Sequence, residues 1–365
     1  MTLIYIDDII RQDSIPVYSN SLWRHLRERV DTMEEKKFQS TSQQIRILQE
    51  RKLIIADEEK AIDILRRENY YNLVNGYKDV FLKTSEPDEY RDGTTFDELY
   101  ALYLFDRELR NIFIKYILII ENNVKSNLAH VFSSKYGHKD YLKIQNFRSN
   151  QSIGREQSQF IGNLTELIAD IQKEIAHQLK NNNTMISHYM LDFGYVPLWV
   201  LVNTLSLGTI SKFYSYLKNE VQNEIAIKFG LKPDVLGSFL SVLTIFRNAC
   251  AHNERFFSLK TKRSTYTEVG QTTTKKSIRQ VSIHDKLEIP KGAGGHLHGK
   301  NDLFAVVIIF KCMLTPSDFE CFFSQLKKQI DILGEKLHSI TIEDVLKQMG
   351  FVDEHWNKWE EIKSI

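Results

Sequence analysis

The feature that most constrains this fold is a long segment of helical periodicity, residues 95–132. Thr95 and Glu98 have the spacing of a capping box at its start. Apolar residues then recur at helical spacing along one stripe: Ile117, Ile120, Val124, Leu128 and Val131. The segment is therefore predicted to be one long helix. Three of its charged residues are interpreted as a solvated face, with an internal network as the alternative: Asp106, Arg107 and Arg110.

Breaks in this periodicity divide the chain, and the predicted fold class is all-α. Only 6 Pro occur in 365 residues, which favours long uninterrupted helices. The divisions are a polar lead-in with one short helix (1–40), an N-terminal helical subdomain (41–95), a main helical domain (96–258), a basic insertion (259–300) and C-terminal helices that complete the bundle (301–365). Within the subdomain, Asp57 is the predicted N-cap of a helix.

The insertion at 259–300 differs from the rest in composition. It is rich in Thr, Ser and Gly, and it contains nine Lys or Arg against three Asp or Glu. Because the whole chain has 48 basic and 47 acidic residues, this excess is strongly local. The segment is predicted to form a basic loop or a β-hairpin over residues 264–283.

Composition also bounds the compartment and the class of site. The formal net charge of +1 gives no global indication of a nucleic-acid partner, although local patches matter more. The three cysteines form no CxxC pair: Cys250, Cys312 and Cys321. A disulfide framework or a zinc site is therefore not expected, and a reducing cytoplasm is. The acidic N-terminus lacks the pattern of a signal peptide, and the apolar runs are too short to cross a bilayer, so no membrane partner is predicted.

Two charged residues lie where apolar residues are expected. Arg247 falls within the apolar stripe of the helix predicted at 236–250, and Glu121 falls within the stripe of the long helix. A buried Arg is unfavourable unless it is paired or faces an anion. We expect the two residues to meet in one polar pocket. That pocket is either a site or a structural ion pair without chemistry.

His252 follows Arg247 by five residues. On an ideal helix the two side chains would point about 140° apart, so they converge only if the helix distorts or ends near 249–253. Asn248 and Asn253 flank the pair. A guanidinium offers donors that match phosphate oxygens, and an imidazole transfers protons near neutral pH. A lone His is more often structural, but this set is a candidate for phosphate chemistry.

Other motifs are weaker. Arg279 and His284 repeat the spacing without an apolar stripe and are interpreted as a chance match. Residues 294–301 approximate a phosphate-binding loop but end in Asn where Ser or Thr would hold a metal ion, so a flexible basic loop is predicted. His296 and His298 have no third ligand nearby in the sequence. No metal or cofactor is therefore predicted.

The segment "RNACAHNER", residues 247–255, resembles the RN-x-CAH-x-x-R signature of the Abi-like proteins, which are bacterial abortive-infection proteins of the AbiD/AbiF type. Further sequence segments resemble that family and occur in the same order, and the resemblance covers roughly residues 41–258. These segments include "TTFDELYALYLFDRELR", "YILIIEN", "VPLWVLVNTLSLGTISKFY" and "IAIKFGL".

This resemblance implies a HEPN-like helical bundle, because the family belongs to the HEPN superfamily. Many members are metal-independent ribonucleases with an Arg-x4-6-His motif. By resemblance the catalytic residues are Arg247, Asn248 and His252, and the supporting residues are Glu121, Asn253 and Arg255. The chain departs from the family pattern in having Asn253 where a second His is frequent, Lys125 where Arg is frequent, and "FFS" where Leu-Trp-Asn is frequent.

The mechanism implied is attack of the RNA 2′-hydroxyl on the adjacent phosphorus, so DNA would not be cleaved. His252 would be the general acid or base, Arg247 would stabilise the phosphorane, and Asn248 would position the reacting groups. Such sites usually form between two HEPN domains. One motif per chain therefore predicts a homodimer.

The expected partners are a substrate RNA and a small structured non-coding RNA, which accompanies some relatives. Six basic residues are predicted to contact RNA backbone: Lys260, Lys262, Arg263, Lys275, Lys276 and Arg279. The functional hypothesis is a cytoplasmic, toxin-type endoribonuclease in antiviral defence. The alternatives are a non-catalytic RNA-binding defence protein and a purely structural helical protein.

Overall fold

A computed structural model describes residues 38–149, 154–267 and 270–365, with only the backbone described over 262–275. The short helix predicted near the N-terminus lies outside these residues. The described chain is mostly helical, which confirms the predicted all-α class. Three short two-stranded sheets accompany the helices among the described residues.

The N-terminal subdomain consists of two helices and a hairpin. The Asp57 carboxylate accepts a hydrogen bond from Lys60 N at 2.9 Å, so the predicted N-cap is confirmed. The chain then joins the long helix, where Phe96 N donates to Ile54 O at 2.9 Å. The elements are α1 (Thr41–Glu50), α2 (Glu58–Glu68), a π-helical turn (Tyr71–Asn75), a 3-10 turn (Lys78–Val80), β1 (Leu82–Ser85) and β2 (Asp88–Tyr90).

The central element is α3, a single helix over Phe96–Tyr136, as the periodicity predicts. Its capping box is present, with Glu98 N donating to Thr95 Oγ1 at 3.2 Å and Thr95 N donating to Glu98 at 3.0 Å. The predicted apolar stripe from Ile117 to Val131 is buried. The helix ends at Gly137, whose φ of 90° is the region that glycine reaches without strain.

The remaining helices of the main domain pack around α3. They are α4 (Arg155–Lys180), α5 (Thr184–Phe193), α6 (Leu198–Leu201), α7 (Leu207–Tyr216), α8 (Asn219–Ile227) and α9 (Pro233–Ala251). Helix α9 packs against α3 and α7. By length and composition α9 could cross a membrane. However, Leu236, Phe239 and Leu243 are fully buried inside the chain, which is the pattern of a core helix.

The basic insertion begins with the predicted β-hairpin. Strands β3 (Lys262–Thr267) and β4 (Gly270–Lys275) pair in antiparallel register. The hairpin ends earlier than predicted, because the chain turns into the core after residue 275. The second half of the insertion contains α10 (Ser282–Lys286), β5 (Lys291–Gly292) and β6 (Gly295–His296).

The predicted loop at 294–301 is packed in part, because His296 and Gly299 are buried, whereas Gly294, Gly295 and Leu297 are exposed. Gly299 has φ +68°, and a Cβ there would lie 2.5 Å from Ile308 Cδ1. The glycine therefore permits close packing against a helix rather than cradling a phosphate. Four apolar side chains scattered through the polar composition anchor the second half of the insertion in the core: Ile278, Ile283, Leu287 and Ile289.

The C-terminal helices cover α3. They are α11 (Leu303–Met313), α12 (Pro316–Gly334), α13 (Ile342–Met349) and a 3-10 turn (Trp359–Lys363). Helix α12 packs along α3. The buried Glu98 also fixes this region, since it accepts hydrogen bonds from His338 N and Ser339 N, both at 2.7 Å.

Candidate functional site

The end of α9 places His252 outside the helix. The helix ends at Ala251, and His252 is the C-cap with φ −99° and ψ 8°. Asn253 then adopts a left-handed conformation with φ +57°, and Glu254 N returns to Ala249 O at 3.1 Å. This is a common way of closing a helix, and Asn tolerates it better than most residues. The helix therefore ends within 249–253, which is one of the two conditions that convergence of Arg247 and His252 requires, and the His252 side chain is exposed.

Arg247 and Glu121 meet, as their positions in the two apolar stripes predict. Arg247 Nε lies 3.8 Å from Glu121 Oε2, and the Glu121 side chain is 5% exposed. The Arg247 side chain is 32% exposed, so it is less buried than the stripe predicts. It reaches from the carboxylate to the surface, because its long aliphatic stem can be covered while its head group remains accessible.

Lys125 is the nearer partner of Glu121, at 2.6 Å between Nζ and Oε1, and both side chains are buried. The sequence analysis does not pair these residues. The signal is nevertheless present, because Glu and Lys four residues apart on a helix face each other. Lys125 thus balances much of the Glu121 charge and leaves Arg247 less strongly held.

Arg247 keeps donor capacity for a ligand. Its Nε is buried and faces the Glu121 Oε2, neither atom having a hydrogen-bond partner in the described part of the chain, whereas no described residue pairs with the Arg247 Nη groups, which leaves those donors for a ligand. Asn248, His252 and Asn253 are exposed around the same helix end. The group can therefore bind an anion through Arg247 and transfer a proton through His252. Burial raises the pKa of the Cys250 thiol to about 12, which favours the protonated thiol over the nucleophilic thiolate near neutral pH.

An internal network holds the chain immediately after His252. Asp106 accepts hydrogen bonds from Phe256 N at 2.9 Å, Phe257 N at 2.6 Å and Tyr77 Oη at 2.6 Å. Arg110 Nη1 donates to Asp106 at 2.6 Å and to Glu254 O at 3.0 Å. Burial raises the pKa of Asp106, although all of these donors oppose that effect.

The solvated-face interpretation is therefore wrong for Asp106 and Arg110, which are buried. It holds only for Arg107, which is partly exposed and lies 3.4 Å from Glu68. The physical reason is that two fully buried aromatic residues, Phe256 and Phe257, carry backbone N–H groups that need an acceptor inside the protein. The network fixes the exit path of the chain from His252.

Arg255 is not brought into the site. Its guanidinium donates to Asp79 Oδ1 at 2.5 Å, Gly76 O at 2.9 Å and Gln348 Oε1 at 3.0 Å. It also lies 4.7 Å from the centre of the Phe257 ring. These contacts join the N-terminal subdomain, the motif segment and α13. The contacts of Arg255 are thus with residues other than Glu121 and Arg247.

The basic residues of the insertion are placed differently from one another. Arg279 is exposed, with Nε 3.9 Å from Asp234. Lys260 Nζ lies 4.0 Å from the buried Asp302, so its charge is directed toward the protein. Lys276 is partly buried. Three further predicted contacts have only their backbones described, within the hairpin: Lys262, Arg263 and Lys275.

The histidines of the insertion have packing roles. His284 and His296 are buried with ring centres 5.0 Å apart, and His284 Nε2 lies 2.9 Å from Gly299 O. His298 pairs with Asp353 and stacks on Trp356. The described residues contain no group of three ligands that could hold a metal ion. Because His284 is buried and Arg279 is exposed, their motif-like spacing does not form a second exposed pair.

The family model described as Abi-like protein matches residues 63–258, more than half of the chain. The chain belongs to the Abi-like family. The Abi-like match includes the whole group around the end of α9: Glu121, Lys125, Arg247, Asn248, His252 and Asn253. The insertion and the C-terminal helices follow the matched range. No curated protein and no solved structure matches this chain.

Proposed function

We propose that this Abi-like protein is a metal-independent endoribonuclease of abortive-infection type. One observation carries the proposal. Arg247 Nε lies against the buried Glu121–Lys125 pair while the Arg247 side chain remains 32% exposed, and the exposed His252 caps the same helix five residues later. A guanidinium that faces a buried carboxylate on one side and remains accessible to solvent on the other is suited to bind a phosphodiester.

The reaction proposed is transfer of the phosphoryl group to the RNA's own 2′-hydroxyl. The 2′-oxygen forms a bond to phosphorus, and the bond from phosphorus to the 5′-oxygen breaks. One base removes the 2′-proton, one acid protonates the leaving 5′-oxygen, and the products are a 2′,3′-cyclic phosphate and a 5′-hydroxyl. His252 performs one of these proton transfers, and Arg247 stabilises the charge that develops on the phosphorane. The exposed amide of Asn248 positions the phosphate.

The reaction needs two proton transfers, whereas each chain supplies one motif histidine, His252. This favours a homodimer in which two motifs face one another. An exposed apolar patch supports this arrangement. Leu118 and Ile119 lie on α3 three and two residues before Glu121, and they are 41% and 38% exposed. A two-fold contact through this patch would bring the same surface of each copy together. Light scattering should give a dimer, and Leu118→Glu should dissociate it. A wild-type monomer at full activity on dilution would contradict the arrangement.

The basic insertion is proposed to contact RNA backbone, whether of the substrate or of a structured non-coding RNA. The hairpin and the exposed Arg279 support this role. The buried side chains of Ile278, Ile283, Leu287 and Ile289 anchor the chain that follows the hairpin. Within the proposal, cytoplasmic RNA is the target.

The test is incubation of purified protein with single-stranded RNA in EDTA. Cleavage leaving 2′,3′-cyclic phosphate ends, absent with 2′-O-methyl RNA and with His252→Ala, is the expected result. The second candidate is a non-catalytic RNA-binding defence protein, which the presence of Asn253 in place of a second His favours. Tight RNA binding without cleavage by the dimer would replace the first proposal with this one.

A further inference from the structure

A groove of about 540 Å³ runs along α3 outside the group just described. It lies between α3 and the short helix α6, and Asn122, the residue after Glu121, lies at one end. Eleven residues separate Asn122 from Ser133 along the helix, which is about 16 Å at the α-helical rise. Its main lining residues are Asn122, Ser126, His130, Ser133, Trp199 and Asn203.

The groove contains hydrogen-bonding groups that the protein leaves free. The side chains of Asn122, Ser126 and His130 are exposed, and none of them has a hydrogen-bond partner among the described residues. The Ser133 hydroxyl oxygen is buried and likewise unpaired within the described chain. Asn203 donates its amide N–H groups to Trp199 O and Val200 O, which leaves its Oδ1 as an acceptor. An apolar occupant would leave these groups unsatisfied, whereas the edge of a nucleobase would pair with them.

An aromatic wall closes one side of the groove. Trp199 is 49% exposed, and its ring lies 5.5 Å from that of His138. His138 in turn is held by the Tyr195 hydroxyl at 3.0 Å from its Nε2. Trp199 is thereby supported on one side and exposed to solvent. Aromatic faces of this kind stack on bases with little sequence preference, because every base has a π-face.

The charge around the groove favours a polyanion. None of the residues that line it is acidic. Lys139 is exposed, lies 5.4 Å from the centre of the Tyr195 ring, and has no carboxylate partner among the described residues. The groove begins at Asn122, which directly follows Glu121 along α3, so along the helix axis its end is within one turn of the residue that holds Arg247.

We propose that this groove is a subsite for single-stranded RNA, in which an unpaired base of the cleaved strand stacks on Trp199 and hydrogen-bonds to the amide and imidazole groups of α3. The proposal rests on the proposed ribonuclease function and deepens it, because it names the substrate as unpaired RNA that extends beyond the cleaved bond. Trp199 is then a substrate-binding residue rather than a catalytic one.

The test measures binding of fluorescein-labelled 2′-O-methyl RNA hexamers, which lack the attacking hydroxyl, by fluorescence anisotropy with the full-length protein. Trp199→Ala should weaken binding about 10-fold or more, as loss of one stacked base does, while Trp199→Phe should retain most of the affinity. Asn122→Ala is a second variant with a smaller loss expected. Tyr71→Ala is the matched control, because Tyr71 is an exposed aromatic residue elsewhere on the surface.

On unmodified RNA, Trp199→Ala should raise KM with little change in kcat, as loss of uniform substrate binding does. If the wild type binds and cleaves RNA but Trp199→Ala does both equally well, the groove proposal fails alone. If the wild type neither binds nor cleaves RNA, the ribonuclease proposal fails with it. If Trp199→Ala instead dissociates the protein in sedimentation experiments, the groove is an interface between copies and the RNA subsite is refuted.

Discussion

Replacing Asp106 by Asn should destabilise the protein strongly although the side chain keeps its size. Asp106 is fully buried and accepts hydrogen bonds from four groups: Tyr77 Oη, Arg110 Nη1, Phe256 N and Phe257 N. An amide replaces one acceptor oxygen with a donor, so at least one buried donor loses its partner. Arg110 also loses its counter-charge. Removing one partner of a buried ion pair costs about 3–5 kcal/mol.

The assay is urea unfolding followed by circular dichroism, with the free energy of unfolding extrapolated to water. Asp97→Asn is the matched control on the same helix, because Asp97 pairs with Lys60 at 2.7 Å but both side chains are exposed. An exposed pair contributes about 0–1 kcal/mol, so the control should lose little. RNA cleavage by Asp106→Asn should also fall, since the segment after His252 is released. A loss of stability below about 1 kcal/mol would refute this account of the network.

Three further outcomes are expected. Arg247→Ala and His252→Ala should each abolish RNA cleavage and leave the circular dichroism spectrum unchanged, because Lys125 still pairs with Glu121 at 2.6 Å; folded variants that cleave at the wild-type rate would exclude the assignment. Neutralising Lys275, Lys276 and Arg279 of the insertion together should flatten the plot of log RNA affinity against log salt concentration, measured by anisotropy. The slope should fall by up to roughly 0.7 for each phosphate that is no longer neutralised. An unchanged slope would indicate that the insertion is a solubilising segment. Burial alone would raise the pKa of Glu98, but backbone N–H donors hold it below 4.5, so its stabilisation is present above that pH and is lost as pH falls through the folded pKa. Urea titrations across the acid range should therefore show a shallower loss for Glu98→Gln than for wild type.

The parts of the fold that depend on local sequence could be predicted. The capping box at Thr95 and the length of α3 both follow from neighbouring residues, and the residues after Arg247 are compatible with the end of α9 near His252. The meeting of Glu121 and Arg247 could also be predicted, because each is a polar residue in an apolar stripe and buried charges need partners. In each case the signal lies in residues close together along the chain.

The parts of the fold that depend on contacts between residues distant in the sequence could not be predicted. Asp106 and Arg110 have the spacing of an exposed helical ion pair. Their backbone hydrogen-bond partners, Phe256 N and Glu254 O, lie about 150 residues away in the chain. The end of the insertion has the composition of a polar loop, since its four core residues show no regular period. The groove beside Trp199 arises from two helices separated in sequence, so no single stretch of residues indicates it.

The bonds of Arg255 have a consequence for how sequences of this type can vary. One guanidinium joins Asp79, the motif segment and Gln348, and Gln348 lies beyond the range shared with the family. A protein truncated after residue 258 would keep every residue of the Arg247 group and lose this attachment. The residues at positions 79 and 348 should therefore covary among related sequences, even where the segments around them vary independently. The C-terminal helices are in this respect part of the structure that holds the motif segment in place.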